Sequence, residues 1–154
     1  MANLQYAGLI GCGDFLRWLI DDLNNSKKIK VKYTYDLNPE KSGLRAGQLN
    51  ASVAESAEQI FNDPEISTVY IFTPPFAREE LFKMAVDHGK NIITTKPFAV
   101  NYDAAKKLYN MVKDKVECGV FYGRAGNAAV EALKTIFDGG EIGNLAIYKE
   151  DWFH

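Results

Sequence analysis

The sequence has 154 residues, of which 47% are hydrophobic and 25% are charged, and its formal net charge is −2. This length and composition predict one globular domain with its own core, and the charge excludes the basic excess that a nucleic-acid partner requires. Cys12 and Cys118 are too few for a disulfide scaffold and have no metal-ligand spacing. The start MANLQYAGL has no leader-like pattern, and no apolar run approaches the roughly 18 residues of a membrane span. We therefore expect a cytoplasmic protein without a metal site.

Short apolar runs alternate with segments of helical periodicity, which predicts an α/β fold with a parallel sheet covered by helices. Strands are predicted near 4–10, 29–35, 68–72, 91–95 and 116–122, with a weak strand at 51–54. Helices are predicted near 14–24, 39–49, 56–62, 76–88, 101–114 and 127–138. Ser56 with Gln59 forms a predicted capping box, Asn101 is a predicted N-cap, and Gly89 ends a predicted helix.

The first predicted strand runs into YAGLIGCGDFLRWLI, which has the spacing of a phosphate-binding turn between a strand and a helix. Gly11 and Gly13 fill the first two glycine positions, whereas Leu16 stands at the third. A phosphate site consists of backbone N–H groups and the positive end of the helix, neither of which requires a particular side chain at position 16. The turn is therefore predicted to bind a dinucleotide despite the leucine.

Two side chains of this turn admit specific interpretations. Leu16 begins an apolar stripe with Leu19, Ile20 and Leu23, so it is predicted to face the sheet. The Asp14 carboxylate favours the same helix end that a pyrophosphate would occupy, and an N-cap role for it is an equal alternative.

Asp36 ends the second predicted strand, 20 residues beyond Leu16, where a ribose-binding carboxylate is expected. A carboxylate at this place accepts hydrogen bonds from the ribose hydroxyls and repels a 2′-phosphate. The predicted cofactor is therefore NAD in preference to NADP. Lys41 and Arg45 on the following helix are expected to weaken that preference.

The pattern changes after Asp138, where a glycine-rich turn precedes an apolar strand at Leu145–Phe153. We expect residues 1–122 to form a dinucleotide-binding domain, and residues 123–154 to form a connecting helix and the first strand of a truncated second α+β domain. An apolar terminal strand needs a sheet to join. Pairing with another chain, which would make a homo-oligomer, remains an alternative.

Taken together, these motifs resemble the Gfo/Idh/MocA family, named for glucose-fructose oxidoreductase, inositol dehydrogenase and rhizopine catabolism. The resemblance rests on GLIGCGD, STVYIFTPP, GKNIITTKPFAVNYDAAKKL and GEIGNL. It implies a Rossmann-type doubly wound parallel sheet and a pyridine-nucleotide oxidoreductase acting on sugars, cyclitols or related polyols. In the family the usual catalytic histidine and most of the substrate pocket lie in a C-terminal domain, so this chain alone is expected to bind cofactor with little or no turnover.

The resemblance also assigns roles to individual residues. Lys96 matches the signature lysine near the nicotinamide and the reacting oxygen, where an ammonium can stabilise a developing alkoxide. Pro97 is expected to shape the turn, with a cis bond as one route. Thr95 replaces the signature glutamate. The predicted cofactor-binding residues are Gly11, Gly13, Asp14, Phe15, Asp36, Thr73, Pro74, Pro75, Lys96, Pro97 and Arg124, and the predicted catalytic residue is Lys96.

Two functions are open at this point. The chain is either the NAD-binding part of an oxidoreductase or a non-enzymatic nucleotide-sensing or scaffold protein, for which Leu16 and Thr95 are evidence. The fold alone does not choose between them. A different ligand on the same fold, such as coenzyme A or an S-adenosyl group, requires neither the TKP segment nor the spacing to Asp36.

Overall fold

Six strands form one sheet in the computed structural model, which describes residues 4–122, 128–140 and 143–144. The strands are β1 (Gln5–Ile10), β2 (Ile29–Tyr35), β3 (Ser52–Val53), β4 (Ile66–Ile71), β5 (Asn91–Thr95) and β6 (Cys118–Phe121). The α-helices are α1 (Ile20–Asn25), α2 (Pro39–Leu49), α3 (Ala57–Asn62), α4 (Glu79–Asp87), α5 (Tyr102–Val112) and α6 (Ala128–Asp138). Two 3₁₀ helices cover Asp14–Trp18 and Pro75–Ala77.

The strands lie in the order β3-β2-β1-β4-β5-β6, and each neighbouring pair is parallel. This is the order of a Rossmann-type doubly wound sheet, and it reverses direction between β1 and β4. The predicted fold class is therefore confirmed. In such a sheet, ligands bind in the crevice at the carboxyl ends of the strands, beside this reversal.

Successive side chains of a strand point to opposite faces of the sheet, and in this parallel sheet helices cover both faces. In β4, Val69 and Ile71 pack in a cluster with side chains of α3, α4 and α5. Tyr70 between them packs in a second cluster that includes Leu16 and, from α2, Leu49. Helices thus cover both faces of the sheet.

Local signals in the sequence explain several of the helix ends. The Asn101 side chain accepts a hydrogen bond from the Ala104 N–H at 2.9 Å, and Gly89 has a positive φ of 63° just after α4. The Ser56 side chain accepts from the Gln59 N–H, but the Gln59 side chain accepts from the Glu55 N–H rather than from Ser56. The predicted box therefore forms with its second bond shifted by one residue.

The segment predicted as one helix at 14–24 consists of a 3₁₀ helix followed by α1. Bonds from Leu16 N–H to Gly13 C=O and from Leu19 N–H to Leu16 C=O wind it tightly. This winding places residues i and i+3 on one side, so Leu16 and Leu19 both face the second core cluster.

The chain divides into two units, Met1–Phe121 and Tyr122–His154. The first contains the sheet, and α6 is the helix described in the second. The predicted strand at 145–153 lies outside the described residues. Among the helices that the structure describes, none has the length and apolar character needed to cross a bilayer.

Candidate functional site

The glycine turn follows β1 and packs directly against the segment that follows β4. Gly11 has φ of +93°, and a Cβ atom there would lie 2.7 Å from the backbone carbon of Phe72. Both the conformation and the close contact require glycine at this position. A Cβ atom at Gly13 would meet nothing within 4 Å, so the turn is open to space on that side.

Three successive amide groups of the turn are free to bind a ligand. Among the described residues, no acceptor is found for the N–H groups of Gly13, Asp14 and Phe15, whereas the Leu16 N–H donates to Gly13 C=O at 3.2 Å. Unpaired N–H groups at the start of a helix form an anion site. The turn therefore fits a pyrophosphate, although its 3₁₀ helix is only five residues long.

Asp14 and Leu16 differ sharply in their surroundings. Asp14 is exposed and is the first residue of the 3₁₀ helix, while the N-cap position belongs to Gly13. The N-cap interpretation of Asp14 is therefore wrong, because the helix begins one residue earlier than that role requires. Leu16 is 0% exposed within the second core cluster, which confirms that it faces the sheet.

Asp36 lies at the end of β2 and ties the turn to that strand. One carboxylate oxygen accepts a hydrogen bond from the Cys12 N–H at 2.7 Å, and the other accepts from the Asn38 N–H at 2.9 Å. A carboxylate offers about four acceptor sites, so capacity remains for further donors. The spacing in the sequence indicated Asp36 as a ligand residue, but it did not reveal this second role as an anchor of the turn.

Arg45 extends from α2 to the same turn and is only 6% exposed. Its guanidinium donates to the carbonyls of Cys12 at 3.4 Å and Gly13 at 3.2 Å, and to the Gln48 side chain at 2.8 Å. These buried bonds hold the guanidinium beneath the turn, and its expected effect on the preference for NAD stays a prediction. Lys41 remains exposed on α2.

Arg78 joins the loops that follow β4 and β5. It is 1% exposed and donates to the carbonyls of Thr73, Thr95, Pro97 and Phe98, and to the Thr95 hydroxyl, at distances between 2.6 and 3.1 Å. Burial lowers the pKa of its guanidinium. Thr95, which replaces the signature glutamate, is thus a buried partner of an arginine. Sequence reasoning missed Arg78 because nothing in its spacing marks it.

The two loops present the remaining predicted residues. Thr73, Pro74 and Pro75 follow β4, and the Thr73 hydroxyl is buried without a hydrogen-bond partner in the described part of the chain. The Lys96–Pro97 bond is cis, one of the routes expected for this turn. Lys96 is exposed, and none of the ion pairs between described residues includes it. Arg124 lies outside the described residues.

An aromatic wall borders the turn at the same edge of the sheet. The half-buried Phe15 ring meets the Phe72 ring edge-on at 5.4 Å and the Phe121 ring at 5.7 Å between centroids. Phe72 follows β4 and Phe121 ends β6. Of these three rings only Phe15 was predicted from the sequence, because contacts between side chains from distant strands leave no local pattern.

Cys12 lies within the turn, and its thiol is not reactive. Burial and the nearby Asp36 raise the pKa of its thiol to about 12, although Arg45 acts in the opposite direction. The thiol is therefore neutral near pH 7, and a small side chain is all that the turn requires there.

The reversal of strand order, the glycine turn after β1 and the carboxylate after β2 together define a dinucleotide-binding domain. The chain belongs to the Gfo/Idh/MocA family, whose model, described as an oxidoreductase family with an NAD-binding Rossmann fold, matches residues 6–124. The site is thus that of an NAD(P)-binding Rossmann domain.

Similar proteins agree with this assignment. Inositol 2-dehydrogenase/D-chiro-inositol 3-dehydrogenase of Lacticaseibacillus casei is 30% identical over 141 residues, which are 88% of this chain and 41% of that protein. The structure of levoglucosan dehydrogenase with NADH and levoglucosan matches with a TM-score of 0.77 and 26% identity, covering 92% of this chain and 41% of that one.

KijD10, a 3-ketoreductase from Actinomadura kijaniata in complex with NADP, matches with a TM-score of 0.82 over 92% of this chain and 46% of that one. At 17% identity this match shows the fold alone. The chain spans less than half the length of the curated relatives it matches.

Proposed function

We propose that this domain binds NAD(H) in preference to NADP(H) and supplies the cofactor site of an oxidoreductase that acts on a sugar or cyclitol. The observation that carries the cofactor preference is the Asp36 carboxylate, held against the turn by the Cys12 N–H at 2.7 Å. A 2′-phosphate next to this charge would be repelled, whereas ribose hydroxyls would donate to it.

In this proposal the backbone N–H groups of Gly13, Asp14 and Phe15 hold the pyrophosphate, and Gly11 allows the tight turn that presents them. The loops Thr73–Pro75 and Lys96–Pro97 form the remainder of the cofactor site. The order of the sheet supports this division, because the turn and both loops follow strands whose carboxyl ends meet at one edge.

We assign Lys96 the catalytic role in hydride transfer. The cofactor supplies the hydride chemistry when it is bound. The exposed Lys96 ammonium at the end of β5 is suited to stabilise charge on the reacting oxygen. The names of the similar dehydrogenases support a sugar-like or cyclitol substrate. The two free cysteines support a cytoplasmic location.

The experiment that tests the cofactor assignment is isothermal titration of the chain with NADH and, separately, with NADPH. We expect saturable binding that favours NADH. The Asp36→Asn substitution removes the charge but keeps an oxygen that accepts from Cys12, so it should weaken NADH binding and reduce the preference for NADH by about tenfold.

Asp22→Asn is the matched control, because Asp22 is an exposed aspartate on α1. It should leave both affinities unchanged. An unaltered ratio of the two affinities in Asp36→Asn would contradict the ribose assignment. The absence of any binding by the wild-type chain would contradict the proposed function.

A further inference from the structure

We propose that Arg45 is a positioning residue of the phosphate-binding turn, which aims the N–H groups of Gly13 and Asp14 at the cofactor pyrophosphate. This inference rests on the proposed function for the identity of the cofactor. It concerns a buried arginine that does not itself face the ligand.

The planarity of the peptide group carries the first step. The Cys12 carbonyl belongs to the same trans peptide unit as the Gly13 N–H, and the Gly13 carbonyl belongs to that of the Asp14 N–H. In a trans unit the C=O and N–H bonds point in opposite directions. Because Arg45 holds both carbonyls from one side, both N–H groups point to the other.

The surroundings of the two N–H groups agree with this orientation. Neither group has an acceptor among the described residues, and a Cβ atom at Gly13 would meet nothing within 4 Å. The preceding peptide is held separately, because the Cys12 N–H donates to Asp36. Asp36 and Arg45 therefore orient three successive peptide groups of the turn.

Charge carries the second step. The 3₁₀ helix after the turn has five residues, so few peptide dipoles are aligned towards a bound anion. Arg45 places a full positive charge behind the turn, where its low exposure limits screening by water. No carboxylate forms an ion pair with Arg45 in the ranges that the structure describes. The guanidinium thus adds positive charge to an anion site at which the dipole of the short 3₁₀ helix is weak.

The test is a titration of the ¹⁵N-labelled full chain with NADH and with inorganic pyrophosphate, followed at the amide signals of Gly13 and Asp14. Arg45→Met should weaken binding of both probes by about 10- to 100-fold, by analogy with the loss of residues that orient the ligands of a metal site. Arg45→Lys keeps the charge but not the planar fork, so its affinity should lie between those of the wild type and Arg45→Met.

Two control variants separate this role from general effects. Lys28→Met removes one exposed positive charge just before β2, at the end of the strand away from the turn, and should leave the affinities unchanged. Leu49→Ala removes a buried apolar side chain and should lower stability while the folded protein keeps its affinity. Loss of affinity in Leu49→Ala equal to that in Arg45→Met would assign Arg45 a merely structural role and overturn the inference.

The two probes distinguish failure of the inference from failure of the proposed function. Pyrophosphate binding that is lost in Arg45→Met supports the inference, even if the wild type does not bind NADH and the proposed function fails. Wild-type affinities in Arg45→Met overturn the inference and leave the proposed function intact. If the wild type binds neither probe, both are overturned. If Arg45→Met does not fold, the affinities of Arg45→Lys decide the question. Wild-type affinities in Arg45→Lys would contradict a role for the planar guanidinium.

Discussion

Asp36 and Arg45 contact successive peptide groups of one short turn, and their charges are opposite. The Asp36 carboxylate accepts a hydrogen bond from the Cys12 N–H, and the Arg45 guanidinium donates hydrogen bonds to the carbonyls of Cys12 and Gly13. The position of Asp36 at a strand end, at a fixed distance from the turn, made it predictable. The position of Arg45 did not, because only the packing of α2 on the sheet turns that side chain towards the turn rather than towards solvent.

At the residue scale, the buried Cys12 thiol should make the stability of the folded chain depend on pH. Its folded pKa is raised from 9.0 to about 12, so the folded chain keeps the proton at pH values where the unfolded chain releases it. The resulting contribution to stability is fully present below pH 9 and is lost as the pH rises towards 12.

The measurement is urea unfolding of the wild type and of Cys12→Ser between about pH 8 and 10, a range that spans the ordinary thiol pKa. The free energy of unfolding should fall by roughly 1 kcal/mol more in the wild type by pH 10. The comparison cancels the titration of lysines and tyrosines common to both proteins. Parallel curves for the two proteins would contradict a buried, protonated thiol.

At the scale of elements, the segments that follow strands decide the geometry of the site. Periodicity predicted a helix after β1, but the tight 3₁₀ winding there depends on how Leu16 and Leu19 pack against the sheet. The loops after β4 and β5 were predicted from TPP and TKP. Their mutual attachment through Arg78 was not predicted, because the bonds join residues up to 20 positions apart in the chain.

The attachment of these loops can be tested with Arg78→Met. This change leaves carbonyls of both loops without a buried donor, so the free energy of unfolding should fall by about 3 kcal/mol or more. Arg17→Met, at an exposed arginine of the 3₁₀ helix, is the matched control and should change stability by less than about 0.5 kcal/mol. Equal unfolding midpoints in urea for the two variants would show that Arg78 does not hold the loops.

At the scale of the whole molecule, strand order decides where the dispersed residues meet. The turn follows β1, Asp36 follows β2, and the two loops follow β4 and β5. Since β1 lies between β2 and β4, these segments share one edge of the sheet at the place where the strand order reverses. A site formed in this way exists only in the folded state, which couples binding of the cofactor to stability.

This coupling predicts that NADH raises the melting temperature of the chain. A ligand that binds only the folded state at 100 times its Kd adds about 2.7 kcal/mol, which is roughly 5–10 °C for a domain of this size. Differential scanning fluorimetry should show a smaller rise with NADPH at the same concentration. An equal rise with both nucleotides would argue against the predicted preference for NAD.

The sequence by itself determined the α/β class, the approximate bounds of the strands and helices, and the residues of the turn and loops. These features depend on local periodicity, on glycine and proline, and on spacing along the chain. Only the tertiary structure decided that Gly13 rather than Asp14 is the N-cap, that Arg45 lies beneath the turn, and that Arg78 joins the loops. The reason is physical: a long polar side chain takes its role from the carbonyls that surround it once buried, and residues far apart in sequence supply those carbonyls.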